Sequence, residues 1–286
     1  MCPRNCNVDK ITKTGFCKAG EKVQIAKIML HHWEEPVISG DEGTKGSGAI
    51  FFSHCNLKCV YCQNYEISHF DIGKEYTEKE LSQIFKDLEN QGALNINLVT
   101  PTHYSENILK ALKIYKPNIP VIWNSGGYDD PNVIEKLKGY VDIFLMDFKY
   151  FSNELALKYS KCANYFEYCT QTLKKIRQIC PEDKIENGLM KKGLIIRHLI
   201  LPNGILDSKK VLDWVATNLG TQTFISLMSQ YTPQGNLVNY TQISRKLKPL
   251  EYKIVEKHLL KLGFKNGFVQ NLDSANACFI PDFSQN

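Results

Sequence analysis

Three cysteines, Cys55, Cys59 and Cys62, stand in a C-x3-C-x2-C run within the stretch Phe51-Phe52-Ser53-His54-Cys55-Asn56-Leu57-Lys58-Cys59-Val60-Tyr61-Cys62-Gln63-Asn64-Tyr65. Thiolates are the protein ligands of iron–sulfur clusters. Three of them on one tight loop can each hold an iron of a [4Fe–4S] cubane and leave the fourth iron open. An open iron is a place for chemistry, whereas a fully ligated cluster mainly moves electrons. Closely spaced cysteines are also the usual sequence sign of zinc. Zinc needs a fourth ligand, and His54 is the candidate within the loop. Zinc knuckles tend to sit among turn residues, but this loop follows Gly48-Ala49-Ile50-Phe51-Phe52, an apolar run that reads as a strand. The setting favours a three-cysteine cluster.

A second group, Cys2, Cys6 and Cys17, is spaced C-x3-C-x10-C. It reads either as a zinc or auxiliary iron–sulfur site, or as reduced thiols packing a small cap. The set is one ligand short of four, and His31 or His32 is available to complete it. The chain has ten cysteines, and in a reducing compartment that number points to metal or redox chemistry more than to disulfides.

The elements that must position these groups follow from periodicity. Residues 1–47 are rich in Cys, Gly and Lys, with one periodic piece at Val23–Met29, and read as a cysteine-containing amino-terminal extension. From residue 48 to 286, short apolar runs alternate with amphipathic stretches. Thr77 and Glu80 have the spacing of a capping box. Leu81, Ile84, Phe85 and Leu88 then recur at helical spacing. Strands are expected at 48–52, 96–99, 119–123, 141–146, 194–200 and 224–228. Helices are expected between and after them, the stretch 153–179 being broken near 162–164. Ser105, and Asp207 or Ser208, are expected as helix caps, and 181–193 as a polar loop. Six strand–helix units in sequence demand a parallel sheet with right-handed crossovers. An open partial barrel and a doubly wound sheet both satisfy that pattern.

In either architecture chemistry gathers at the carboxyl ends of the strands. Those ends carry Thr100 and Thr102, Asn124 and Ser125, Asp147 and Lys149, Arg197, and Gln230. Asp147 and Lys149, two apart on a strand, point the same way and can face one ligand. Each can equally belong to a salt-bridged rim. His103, Tyr104 and Tyr128 are further residues placed to meet a substrate.

Composition sets the outer limits. The apolar fraction of 43% over 286 residues is ordinary for a globular protein with a substantial core. A net charge of +5 without a polybasic block suits an anionic ligand but not nucleic acid. No apolar run approaches the ~20 residues of a bilayer-spanning helix, and the amino terminus lacks a signal-peptide core. A cytoplasmic protein without a membrane partner is expected.

Four segments narrow the reading further: Cys-Asn-Leu-Lys-Cys-Val-Tyr-Cys-Gln-Asn at 55–64, Asn-Leu-Val-Thr-Pro-Thr-His-Tyr at 97–104, Asp-Ile-Phe-Leu-Met-Asp-Phe-Lys-Tyr at 142–150 and Ser-Leu-Met-Ser-Gln-Tyr at 226–231. With the amino-terminal Cys-Pro-Arg-x-Cys segment, they resemble radical SAM enzymes, and among these the pyruvate formate-lyase-activating-enzyme-like proteins of the PflX type. The resemblance implies a (β/α)6 partial TIM barrel with the cysteine loop after its first strand. It implies a [4Fe–4S] cluster on Cys55, Cys59 and Cys62, with S-adenosylmethionine (SAM) on the open iron. Tyr61 would lie against the adenine and Asp147 and Lys149 would contact SAM, with the other strand-end residues around them. The implied activity is that of an oxidoreductase that cleaves SAM to a 5′-deoxyadenosyl radical and abstracts a hydrogen atom, as from a glycine Cα of a protein substrate. No side chain is needed as acid or base. A reducing donor such as flavodoxin or ferredoxin is the implied partner. A modifier of another protein or a small molecule is the rival within the class, and a non-catalytic zinc or iron–sulfur binding protein the rival outside it.

Two positions depart from the pattern. Glycyl-radical activases carry a Gly-Gly-Glu turn after the second strand that holds the SAM amino group. Here Thr100-Pro101-Thr102 stands there, so the amino group falls to threonine hydroxyls, backbone carbonyls or Asn124. Relatives also usually carry a further cysteine upstream of Cys2, which leaves the amino-terminal site either absent or completed by His31, His32 or a partner.

Overall fold

A computed structural model describes residues 2–41, 43–235, 237–270 and 283. In chain order it begins with β1 (Val23–His31), α1 (Pro36–Ser39), β2 (Ser47–Phe52), α2 (Tyr65–His69), β3 (Lys74–Tyr76) and α3 (Glu78–Asn90). There follow β4 (Ile96–Val99), α4 (Ser105–Ile114), β5 (Val121–Ser125), α5 (Pro131–Leu137), β6 (Ile143–Asp147), α6 (Asn153–Ser160) and α7 (Tyr165–Ile179). The chain continues through β7 (Lys184–Glu186), β8 (Leu189–Leu199), α8 (Ile205–Leu219), β9 (Phe224–Met228), α9 (Pro249–Leu262) and β10 (Gly267–Val269).

The six expected strands are β2, β4, β5, β6, β8 and β9, and each pairs in parallel with the next. The sheet order β10-β9-β8-β6-β5-β4-β2-β1-β3 leaves two edges, so the sheet is open. This is the α/β architecture of a partial barrel. All residues of β2, β4 and β5 are buried, as expected of parallel strands covered on both faces.

Outward side chains such as Ile50, Leu98, Trp123 and Phe144 join the helices in the main core. Inward ones alternate with them. Ile122, Ile143, Leu145 and Ile195 pack around Val37 and Ile38 of α1, a single helical turn that closes the floor of the sheet's concave side. Asn95 fastens that turn by donating from Nδ2 to the Ile38 carbonyl at 2.7 Å.

Asp130 caps α5 ahead of Pro131. Two local expectations hold: Thr77 and Glu80 form the capping box of α3, and α6 and α7 are separated at 161–164. Others need correction. The stretch 181–193 is not a loop: β7 and the start of β8 form a hairpin around Asn187 and Gly188, both at positive φ, and Asn-Gly is the dipeptide such two-residue turns favour. Tyr104, not Ser105, occupies the N-cap of α4. Gly204 precedes α8, and Asp207 accepts instead from the Phe151 and Ser152 amides at 3.0 and 2.8 Å. β1, from the segment set apart as an extension, pairs antiparallel with β2, so the sheet runs across residue 47. Among the described residues no helix is long and apolar enough to cross a membrane.

Candidate functional site

The cysteine loop leaves β2 through Ser53 and His54, the latter at φ +70°. Its backbone is stitched to the end of α6, with Val60 N donating to Tyr159 O at 2.9 Å and Lys58 N to Ser160 O at 3.3 Å. Two thiols receive donors: Leu57 N–H reaches Cys55 Sγ at 3.3 Å, and the Ser160 hydroxyl reaches Cys59 Sγ at 2.9 Å. Ser160 in turn meets Tyr150, and Tyr150 meets Tyr61, through hydroxyl–hydroxyl bonds of 2.7 and 2.6 Å. This chain locks the Tyr61 ring beside the cysteines. His54 faces elsewhere, its Nε2 on Gln24 Oε1 at 2.8 Å.

Cys55, Cys59 and Cys62 line one cavity of about 210 Å3 together with the strand ends. The structure brings Tyr61, Thr100, Asn124, Ser125, Asp147, Lys149, Arg197 and Gln230 to the same cavity. Thr102 is not brought there. Its hydroxyl donates to buried Asp129 at 2.8 Å, and it lines a different cavity with His103.

Charge is concentrated at the strand ends that share the cavity with the cysteines. Arg197 donates from Nε to Asp147 Oδ1 at 2.8 Å, from Nη1 to Glu34 Oε2 at 3.1 Å and from Nη2 to Asn124 Oδ1 at 2.6 Å. Lys149 Nζ takes the other Asp147 oxygen at 2.6 Å. Burial opposes a charge on Asp147, but the Arg197 and Lys149 cations outweigh it and hold the carboxyl below its usual range. Lys149 is likewise held cationic: burial disfavours its charge, and Asp147 more than compensates. Burial pushes the Cys59 thiol up to about 11, against the pull of Lys149. Cys55 is also raised, first by burial and then by its neighbouring cysteines. These thiols stay protonated near neutrality until a metal takes them, since ligation requires the thiolate.

Glu34 and Asp129 were not singled out from sequence. Glu34 sits on the cavity floor, where Asn97 and Asn124 donate to its Oε1 at 3.0 and 3.2 Å. Its partners are 63 to 163 residues away, so no local spacing marks it as a site residue. Asp129 ties the turns after β4 and β5 together by accepting from Thr102, Ser125 and the Trp123 indole.

The arrangement can hold a soft-metal group on the three sulfurs and a zwitterionic ligand against the ion-paired wall. Among the described residues no three His, Cys, Asp or Glu side chains stand converged on a metal ion, so binding of a metal group to the three thiols must draw them together.

The model of the radical SAM superfamily matches residues 49–190, from β2 through the start of β8. An uncharacterized protein of Methanocaldococcus jannaschii, MJ0674, is 34% identical over 269 residues, covering 91% of this chain and 72% of that protein. The crystal structure of Streptococcus suis SuiB bound to precursor peptide SuiA superposes with a TM-score of 0.54 at 14% identity, covering 78% of this chain and 48% of that one. SuiB bound to S-adenosylmethionine gives 0.51 at 15% identity, with 78% and 50% covered. These likenesses are of fold, and the chain spans about half the length of the structures it matches.

Proposed function

Because this chain belongs to the radical SAM superfamily, we propose that its strand-end cavity holds a [4Fe–4S] cluster on Cys55, Cys59 and Cys62 with SAM beside it. The cofactors, once bound and given an electron from a donor of the flavodoxin or ferredoxin kind, supply reductive SAM cleavage to a 5′-deoxyadenosyl radical that takes a substrate hydrogen atom. The observation that carries the reading is the convergence of three thiols and the Asp147–Lys149 pair on one cavity.

The chain's own residues bind, orient and shield. Lys149 spends one of its three N–H donors on Asp147 and keeps two for a carboxylate. Asp147 accepts one bond on each oxygen, which leaves lone pairs for hydroxyl groups such as those of a ribose. Arg197 is committed to Asp147, Glu34 and Asn124, so it positions these acceptors. Ser125 is turned toward Asp129 and holds its own turn. Thr100, at φ +62°, and Asn124 stand with floor carboxylate Glu34 as acceptors for an ammonium group. The Tyr61 hydroxyl is engaged by Tyr150, which leaves the ring as an apolar surface for a base. Phe51, Val99 and Met228 line the same cavity and keep water from a radical.

The resemblance to PflX-type proteins supports a glycine Cα of a protein substrate as the hydrogen donor. The Thr100-Pro101-Thr102 turn, unlike that of the glycyl-radical activases, favours a different protein or a small molecule as the rival substrate. Anaerobic reconstitution with iron and sulfide, reduction and addition of SAM tests the reaction. The expected product is 5′-deoxyadenosine from the wild type and none from Cys59→Ala. A confirmed cubane that yields no deoxyadenosine overturns the reading. A glycine-centred electron paramagnetic resonance doublet on a partner protein identifies the activase substrate, and its absence across glycyl-radical partners moves the assignment to the rival.

A further inference from the structure

A second cavity lies away from the strand ends, between the amino-terminal segment and the start of α4. It measures about 330 Å3, and Cys2, Cys6, Cys17 and His103 all line it. We propose that these four residues form a second iron–sulfur site, with three thiolates and the His103 Nδ1 as its ligands. This goes beyond the strand-end reading and does not depend on it.

Three observations carry the proposal. The first is the donor set: residues 2, 6 and 17, on a segment with no helix or strand among its described residues before β1, line one cavity. The second is the state of the sulfurs. The Asn56 amide donates to Cys2 Sγ at 3.4 Å, and Phe16 N–H donates to Cys6 Sγ at 3.4 Å. Cys55 and Cys59 in the strand-end cavity are served by donors in the same way. Hydrogen bonds to sulfur are among the groups that tune cluster thiolates.

The third is His103. Its side chain is buried, with a relative exposure of 5%. Nε2 donates to the Ser53 carbonyl at 2.8 Å, which fixes the proton there and leaves Nδ1 a bare lone pair. Among the described residues nothing donates to that buried Nδ1. A buried acceptor without a partner is costly, and a metal resolves the cost. Carbonyl-anchored imidazole is also how metal-binding histidines are usually oriented.

The surroundings suit an anionic group. Arg4 is clamped with its guanidinium 3.7 Å over the Phe16 ring and 5.3 Å from that of Tyr128. Its Nη2 is buried without a partner among the described residues. Lys10 lines the same cavity and holds the His103 carbonyl at 2.8 Å. Among the described residues no three such side chains stand converged on a metal ion, so binding must draw the four ligands together. His31 lines the strand-end cavity instead, so it does not complete the amino-terminal set. Gly15 closes the turn against Cys6, where an added Cβ would lie 3.0 Å from the sulfur.

The test is metal content after anaerobic reconstitution with ferrous iron and sulfide, with zinc measured in parallel. The full chain is expected to bind about eight irons, and the Cys55→Ala/Cys59→Ala/Cys62→Ala variant about four, as two cubanes require. The variant's reduced signal should not respond to SAM. Cys6→Ser, at an exposed position, is expected to lower the full chain to about four irons without disturbing the core. His103→Ala should alter the resonance of the cluster that remains in the Cys55→Ala/Cys59→Ala/Cys62→Ala background. A full chain with about four irons, all lost with Cys55, Cys59 and Cys62, overturns the second site and leaves the strand-end reading intact. A Cys6→Ser chain that keeps all its iron, or stoichiometric zinc without iron in the triple variant, also overturns it. Iron retained in full by the triple variant would instead remove the strand-end assignment.

Discussion

Asp147 and Arg197 are register partners across the parallel strands β6 and β8, and their side chains join at 2.8 Å on the concave face of the sheet. Lys149 closes on the other carboxylate oxygen at 2.6 Å, so one anion serves two part-buried cations. Removing its charge strands both. Asp147→Asn is therefore expected to cost up to about 3 kcal/mol, the low end of the range for breaking a buried pair by removing one partner, because all three groups keep some exposure. The check is the urea midpoint, and a shift below that of a surface substitution would show the charges to be solvated. Loss of SAM binding by equilibrium dialysis should accompany it.

Glu34 is the counter-ion on the floor of the same network. Glu34→Ala leaves donors on Arg197, Asn97 and Asn124 without their acceptor, and each unsatisfied buried group costs ~1–3 kcal/mol. Weaker SAM binding and a lower melting temperature are both expected. Glu34→Gln keeps one acceptor oxygen and should recover much of the stability but not the affinity. Equal affinity in the two variants and the wild type would separate Glu34 from the ligand site.

The contrast between these residues marks what the sequence made legible. Asp147, Lys149 and the cysteine loop announce themselves locally: two residues of one parity at a strand end, and three thiols within eight positions. Local signals also gave the α3 capping box and the break between α6 and α7. Glu34 was not legible as a site residue, because its tie to Arg197 spans 163 positions and exists only once α1 closes the floor. Thr102 and His103 follow Thr100 so closely that strand-end logic places all three together. The chain turns at Thr100, φ +62°, and sends the later pair to the other cavity. The hairpin at Asn187-Gly188 was lost for a different reason: the polar, exposed residues of β7 carry no apolar alternation for a strand pattern to register.

Gly127 joins the turn after β5 to the Asp147 backbone. It has φ +81°, and an added Cβ would lie 2.0 Å from the Asp147 carbonyl oxygen. Gly139 has nearly the same φ, +83°, with open space around it. Gly139→Ala is expected to cost only the left-handed conformation, about 1–2 kcal/mol. Gly127→Ala must also displace β6 and should cost more, seen as a larger fall in melting temperature. Equal falls would show that the Asp147 strand end yields easily.

Ser160 sets the electronic environment of Cys59 through its 2.9 Å hydroxyl donor. Such a donor favours the more negatively charged, reduced state of a sulfur-ligated cluster. Ser160→Ala is expected to leave iron content unchanged, make the midpoint potential more negative and slow deoxyadenosine formation with a mild reductant. An unchanged potential in a redox titration would show that the bond is lost on metal binding.

Away from the site, Glu251 fastens α9 to the loop after β8. Arg245 donates to both of its oxygens at 2.7 and 2.8 Å, and the Lys248 and Asn203 amides donate at 2.9 and 2.8 Å. The Arg245 hydrogen bonds, against a smaller opposing effect of burial, lower the Glu251 carboxyl to about 2 from its ordinary 4.5. A depressed folded-state value means that the unfolded chain takes up the proton first. The stabilisation is fully present above the ordinary value and is lost as pH falls from about 4.5 toward about 2. Chemical-denaturation midpoints should fall across that window, and Glu251→Gln should flatten the fall while lowering stability at neutral pH. A Glu251→Gln profile parallel to the wild type from pH 5 to 2 would assign the acid sensitivity to other carboxylates.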